Sequence, residues 1–254
     1  MEGKFIAITG AGSGIARGTA LRCAELGAGG VSLCDVNLEG LEETKKMIAD
    51  KYPKCNVLIK KMDIANAAEV DEWIVTAVAT FGRLDGAANV AAISRRQLDT
   101  TTANIKQSDW DATIAVNLTG TMNCMRAQLQ HITKPGGSIV NISSGAGMKG
   151  VAGMPSYSST KWGMRGLTKC AAAEFGEAGV RVNTLMPGPI HTGENFERAA
   201  AAGLVDKVKF ASGTALKRLG TAAEVANVIV FLLSDDASYI TGADIAVDGG
   251  GTAI

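Results

Sequence analysis

The chain has 254 residues, 46% of them hydrophobic and 20% charged, enough to bury a sizeable core in one folded unit. Its 25 basic and 25 acidic residues cancel to a formal net charge of zero, so no global field draws it to nucleic acid or an anionic membrane, and small molecules are the expected partners. Five cysteines stand singly at 23, 34, 55, 124 and 170 with no Cys-x-x-Cys spacing, a pattern that fits reduced thiols and a cytoplasmic setting better than a disulfide framework or a structural zinc.

Met1 to Phe5 enters an apolar run almost at once, so no export signal is expected. That run, Phe5-Ile6-Ala7-Ile8, predicts a first strand, which meets Thr9-Gly10-Ala11-Gly12-Ser13-Gly14-Ile15 and then a helical stretch. Glycines here allow a tight turn and close approach to a pyrophosphate, whose charge is met by N–H groups at the helix start, although a glycine turn without a ligand has the same letters. No lysine follows with the spacing of a triphosphate-binding loop. A second strand over 31–35 ends on Asp35, 21 positions after Gly14. Its carboxylate suits ribose hydroxyls and repels a 2′-phosphate, and no arginine stands beside it or between Gly10 and Gly14, so NAD is favoured over NADP. An aspartate that simply ends a strand is the plain alternative.

Further apolar runs near 57–62, 84–89, 137–142, 180–185 and 244–247 alternate with helical stretches. This alternation predicts an α/β fold, a Rossmann-like doubly wound parallel sheet with helices on both faces. No linker or repeat divides the chain, so 1–254 is expected to be a single domain for cofactor binding and catalysis. Ligands bind at the carboxyl ends of such strands, and Gly10, Asp35, Asp63, Asn89, Ser144 and Pro187 all fall at or just after predicted ends. They are expected to converge on one crevice. The late run Val228–Leu233 is too short to span a bilayer, so no membrane partner is expected.

Between the fifth and sixth strands, Tyr157 and Lys161 stand four residues apart, which places both on one face of a helix. An ammonium beside a phenol favours the phenolate, bringing it towards the range of general acid–base catalysis. Alone, the pair is more often a half-buried ring beside a solvated charge.

With these residues together, the chain resembles the short-chain dehydrogenase/reductase family, in the subgroup that family calls classical, over nearly its whole length. The glycine motif matches at Thr9, Gly10 and Gly14, with Ala16 where a glycine is usual, and Ala88-Asn89-Val90-Ala91 is an altered form of the family's Asn-Asn-Ala-Gly. The resemblance maps the active-site asparagine to Asn117 and the serine to Ser144, 13 residues before Tyr157, with Ser143 as rival. It implies a proton-transferring Tyr157, a Lys161 that holds the nicotinamide ribose, a Ser144 that bonds the reacting oxygen, and an Asn117 that positions a water. It also implies cofactor contacts from Gly10, Ser13, Gly14, Ile15, Asp35, Asp63, Ile64 and Asn89. Pro187-Gly188-Pro189-Ile190-His191-Thr192 resembles the segment that closes over nicotinamide, adding Pro187, Ile190 and Thr192.

The expected reaction is therefore NAD(P)-dependent interconversion of a secondary alcohol and a ketone. A non-redox protein on the same scaffold, such as a cofactor-binding regulator, isomerase or cyclase, is the alternative. A serine hydrolase lacks support, since no Gly-x-Ser-x-Gly surrounds Ser144, and two isolated histidines, His131 and His191, give no metal-ligand spacing, so no metal is expected. A lid is expected over about 193–213, where Phe196, Leu204, Val205 and Phe210 either line a pocket or pack in the core, and Arg95 and Arg96 are solvated or meet an acidic substrate. Family likeness, with the apolar surface of the helix after Tyr157, implies a homotetramer or homodimer.

Overall fold

In the computed structural model, the described residues are 1–95 and 99–253, with the side chains of 194 and 195 excepted. Arg96, one of the two arginines considered above, lies outside them. Seven strands form one parallel sheet: β1 (Phe5–Thr9), β2 (Gly30–Asp35), β3 (Asn56–Lys61), β4 (Gly86–Asn89), β5 (Ser138–Ile142), β6 (Arg181–Pro187) and, last in the chain, β9 (Asp244–Val247). Their spatial order is β3-β2-β1-β4-β5-β6-β9, every pair parallel.

Both faces of the central strands are buried because period-two alternation sends neighbours opposite ways. Ile6 and Ile8 join one core with α1 (Gly14–Glu25) and α9 (Ala222–Leu233); Ala7 joins the other with α3 (Ala67–Phe81), α5 (Thr121–His131) and α6 (Pro155–Phe175). Helix α2 (Leu38–Lys51) sits beside α1, and α4 (Gln107–Ile114) beside α6. In the second core Trp73 is fully buried and its indole N–H donates to Ser32 Oγ at 2.8 Å, so the ring's one polar atom is satisfied.

Strand order reverses between β1 and β4, which opens a crevice at their carboxyl ends. Gly10 follows β1 directly, and Asn89 ends β4 in register with Thr9. The Thr9 hydroxyl accepts from the amides of Val90 and Ala91 at 3.0 and 3.1 Å, tying the two strand ends together.

Three features depart from the sequence reading. Strand β6 runs to Pro187 because β9 pairs with it as far as Val247. A two-strand parallel sheet, β7 (Ile190–His191) with β8 (Gly220–Thr221), anchors the segment beyond Pro187. Between α4 and α5 the helix widens into a π-turn, Ala115–Gly120, in which the carbonyl of Asn117 accepts the Thr121 hydroxyl at 2.9 Å. The segment expected to form a lid, about 193–213, holds α7 (Glu194–Ala201) and α8 (Lys207–Ser212). Among the described residues, no helix is long and apolar enough to cross a membrane.

Candidate active site

At the head of the crevice, Gly10 and Gly14 adopt φ of +75° and +59°, a left-handed backbone that glycine enters without strain. A side chain at Gly10 would meet the Ala91 backbone at 2.9 Å, and one at Gly12 would meet the Asp35 carboxylate at 2.9 Å. The loop is therefore a backbone cradle with no room for side chains, ending at the amino terminus of α1, where Ser13 takes an extended conformation and the first-turn amides of Gly14 and Ile15 lack intrahelical acceptors. This is the arrangement a pyrophosphate requires, so the residues fit a dinucleotide. The methyl of Ala16, where a glycine is usual, is absorbed in the core with α9, away from the cradle.

Asp35 holds this cradle from the side. One carboxylate oxygen accepts from Gly12 N at 2.9 Å, the other from Asn37 N at 2.9 Å, leaving lone pairs on both. Arg17 and Thr44 hold it from behind. The Arg17 guanidinium reaches the carbonyl of Gly12 at 2.5 Å and Glu43 at 2.6 Å, while the Thr44 hydroxyl donates to Ala11 O at 2.8 Å. Sequence reasoning missed this pair: arginine was sought only next to Asp35 and within the glycines, whereas Arg17 folds back from the first turn of α1.

At the adenine side, Asp63 is exposed two residues past β3 and its carboxylate caps Ala65 N at 2.9 Å. The Ile64 side chain is turned away: it is buried, and a methyl at Gly120 would touch it at 2.7 Å. Asn89 departs further from its expected role as a cofactor contact. Its amide nitrogen donates to Gln128 Oε1 and Asn141 Oδ1 at 3.0 and 2.8 Å, and its oxygen accepts from Gln128 at 2.8 Å, in a site 2% exposed. A side chain so committed faces the sheet interior, which leaves only its main chain at the crevice. Asn89→Ala is accordingly expected to cost about 3 kcal/mol of folding stability, because Gln128 and Asn141 lose buried partners. Denaturant unfolding checks this.

At the carboxyl end of β5 lie the candidate catalytic groups. Ser144 opens a 3₁₀ turn, its hydroxyl accepting from Ala146 N at 3.2 Å, and it lies near enough to the Tyr157 hydroxyl to favour the phenolate. Its rival Ser143 is buried and donates to the carbonyl of Lys161 at 2.8 Å, so that hydroxyl does not face the crevice. Lys161 lies on the face of α6 shared with Tyr157, its Nζ 5.3 Å from the tyrosine ring centre. That nitrogen donates to Ile142 O at 2.7 Å and is 1% exposed.

The electrostatics correct one expectation. Burial lowers the Lys161 amine from its ordinary 10.5 to about 7, so the protein alone does not hold it as a full cation at neutral pH. Burial also pushes the Tyr157 phenol up from 10, against a smaller pull downwards from Ser144. The lysine does not draw the phenol down, because its own charge is suppressed by the same desolvation.

Asn117 is fully buried; its side-chain oxygen accepts from Ile93 N at 2.8 Å and its nitrogen donates to Ile93 O at 2.9 Å. This clasp fixes the segment following β4 to the π-turn; the amide nitrogen also donates to the Thr160 hydroxyl at 3.4 Å, while the oxygen keeps a second lone pair. Pro187 and Ile190 are placed by β6 and β7, and Thr192 lies against the glycine loop, 3.5 Å from where a Gly14 side chain would begin. Along 193–213, Phe196 is buried beside the His191 ring at 5.1 Å between centroids, Leu204 and Val205 are partly buried, and Phe210 is 37% exposed. Glu197 bridges His191 at 2.7 Å and Lys207 at 2.5 Å, joining α7 and α8 to β7.

A family model described as "Enoyl-(Acyl carrier protein) reductase" matches residues 10–252. The chain is 41% identical over 252 residues to "Short-chain dehydrogenase/reductase aba4" of Botryotinia fuckeliana, covering 97% of this chain and 96% of that protein. The chain belongs to the short-chain dehydrogenase/reductase family. Levodione reductase from Leifsonia aquatica is 35% identical over 98% of this chain and 94% of its own length. A crystal structure of levodione reductase superposes with a TM-score of 0.92 at 34% identity, covering 100% and 99% of the two chains. Two cofactor complexes share the fold: "ElxO with NADP Bound" at TM-score 0.89 and 32% identity, covering 100% of each chain, and "NAD+-Bound Xylitol Dehydrogenase" at 0.89 and 27%, covering 98% and 99%. This short-chain dehydrogenase/reductase is an NAD(P)-dependent oxidoreductase acting on a small molecule.

Proposed function

We propose that this enzyme interconverts a secondary alcohol and a ketone, with NAD favoured over NADP and the whole chain acting as one cofactor-binding and catalytic unit. The observation that carries this reading is the Lys161 amine 5.3 Å from the Tyr157 ring centre, with the Ser144 hydroxyl near enough to act on the same phenol, at the carboxyl end of β5. The nicotinamide, when bound, accepts or returns the hydride. Ser144 donates to the substrate oxygen and stabilises its developing charge. Tyr157 takes the hydroxyl proton in oxidation and returns it in reduction. Lys161 would hold the nicotinamide ribose, whose hydroxyls can accept hydrogen bonds from the amine and so favour its protonated form and its pull on Tyr157. Gly10, Ser13, Gly14 and Ile15 receive the pyrophosphate, Asp35 the adenosine ribose, Asp63 and the Asn89 main chain the adenine side, and Pro187, Ile190 and Thr192 the nicotinamide. Asn117 acts by fixing the π-turn.

Incubation with NAD⁺ and, separately, NADP⁺ over a panel of secondary alcohols tests the reading. NADH formation with at least one is expected; no turnover with any alcohol, and none in reverse with the matching ketones, refutes it. Asp35 supports NAD because its fixed charge repels a 2′-phosphate. Asp35→Asn is expected to narrow the NAD-over-NADP ratio of kcat/KM about tenfold, equivalent to about 1.4 kcal/mol; an unchanged ratio removes Asp35 from the choice. We also propose a cytoplasmic homotetramer or homodimer, supported by the exposed face of α6, where Trp162 is 48% exposed and Cys170 lies at the surface. Light scattering on the purified protein checks the assembly.

A further inference from the structure

Three consecutive residues at the end of β5 each bond to α6. Asn141 donates to the Thr168 hydroxyl at 2.9 Å, Ile142 O accepts from Lys161 Nζ at 2.7 Å, and Ser143 donates to Lys161 O at 2.8 Å. Only the second involves a group already given a chemical role. Asn141, Thr168, Ser143 and Lys161 are at most 2% exposed, so these bonds form without competition from water. Along α6, positions 157, 161 and 168 follow the i, i+4, i+11 sequence that returns to one helix face, so the row runs along a single line of contact. The approach is tight. A methyl at Gly147 would lie 2.5 Å from Ser143 Oγ and 2.9 Å from Lys161 O.

A helix packed on a sheet through apolar side chains alone slides and rotates at little cost, since dispersion contacts are non-directional. Hydrogen bonds are directional, and a slip by one residue turns a helix about 100° and moves it about 1.5 Å, breaking all three together. We infer that Thr168 and Ser143 are positioning residues that set the axial register of α6 on β5, and so bring Tyr157 to Ser144 and the Lys161 amine to Ile142 O. Asn141 transmits the register further, since its oxygen accepts from Asn89 on β4 at 2.8 Å and its amide also approaches Met125 Sδ at 3.1 Å. The inference rests on the proposed roles of Tyr157 and Lys161.

The test uses the full chain with Thr168→Val, which keeps the shape and removes the hydroxyl, and Thr168→Ser, which restores it. Two readouts are taken: steady-state kinetics with NAD⁺ and an accepted alcohol, and the near-ultraviolet titration of Tyr157, isolated by subtracting the same variant carrying Tyr157→Phe. Thr168→Val is expected to lower kcat about tenfold or more with the KM for NAD⁺ nearly unchanged. It is also expected to move the Tyr157 midpoint down towards an ordinary tyrosine, as a loosened helix admits water. Thr168→Ser is expected to match the parent in both. A Thr168→Val protein with the parent's kcat and the parent's tyrosine midpoint, whatever its melting temperature, overturns the inference. Should Thr168→Val fail to fold, Ser143→Ala carries the same comparison, and no change in either readout there overturns it equally. If the parent oxidises no alcohol, the tyrosine titration still reports on register, so the failure of the reaction assignment stays distinct from the failure of this one.

Discussion

Tyr157→Phe is expected to reduce kcat for alcohol oxidation by about a thousandfold while leaving NAD⁺ binding within a factor of about two. The reasoning is local. Phe keeps the ring against which the Lys161 amine lies at 5.3 Å and deletes only the hydroxyl beside Ser144. Folding stability should hold or rise slightly, since a desolvated phenol oxygen is lost. Initial rates of NADH formation, with cofactor binding followed separately by fluorescence, decide the matter. A variant with full activity removes Tyr157 from proton transfer; one that loses activity only through NAD⁺ affinity assigns it to binding.

Lys161→Met is expected to abolish turnover and yet stabilise the fold at pH 7. The amine is buried and brought down to about 7 from 10.5, so the unfolded chain binds its proton more tightly than the folded one. Below about pH 7 both states are protonated and the full penalty is present. As pH rises from 7 to 9 the folded state, already deprotonated, stops losing while the unfolded state remains charged but less firmly so, and stability climbs by about 2 kcal/mol. Met fills the same stem volume with no proton to strip, so this climb should vanish in the variant. Above pH 9 the buried thiols of Cys23, Cys34 and Cys124, all raised by burial, oppose the trend in both proteins. Urea midpoints at pH 7 and 9 measure it; equal pH slopes for parent and variant would show that the lysine carries no such strain.

The sequence made the sheet legible because each strand is a short apolar run closed by a polar or glycine stop, and strands buried on both faces leave little else to read. Gly10, Asp35, Ser144 and Tyr157 sit where their neighbours in the chain imply. What escaped was contact made across the chain. Asn89 looks the same in letters whether it faces a cofactor or, as here, Gln128, 39 positions away. The lowered Lys161 amine is illegible for a related reason: spacing reveals that two side chains share a helix face, but their desolvation depends on what packs over both. Arg17 and Thr44, too, join segments 27 positions apart. The π-turn at 115–120 has no local punctuation beyond Gly120, and the bond it makes, Asn117 to Ile93, spans 24 positions.

The position of β1 between β2 and β4 bears on the order in which the enzyme is made. Residues 5–14 are synthesised well before the backbone that closes over Gly10, which belongs to Ala91, 81 positions later (91 − 10). Parallel pairing at such separation forms slowly. A nascent chain ending before β4 therefore has an exposed strand edge and no finished nucleotide cradle, so assembly of the cradle is expected to wait for β4.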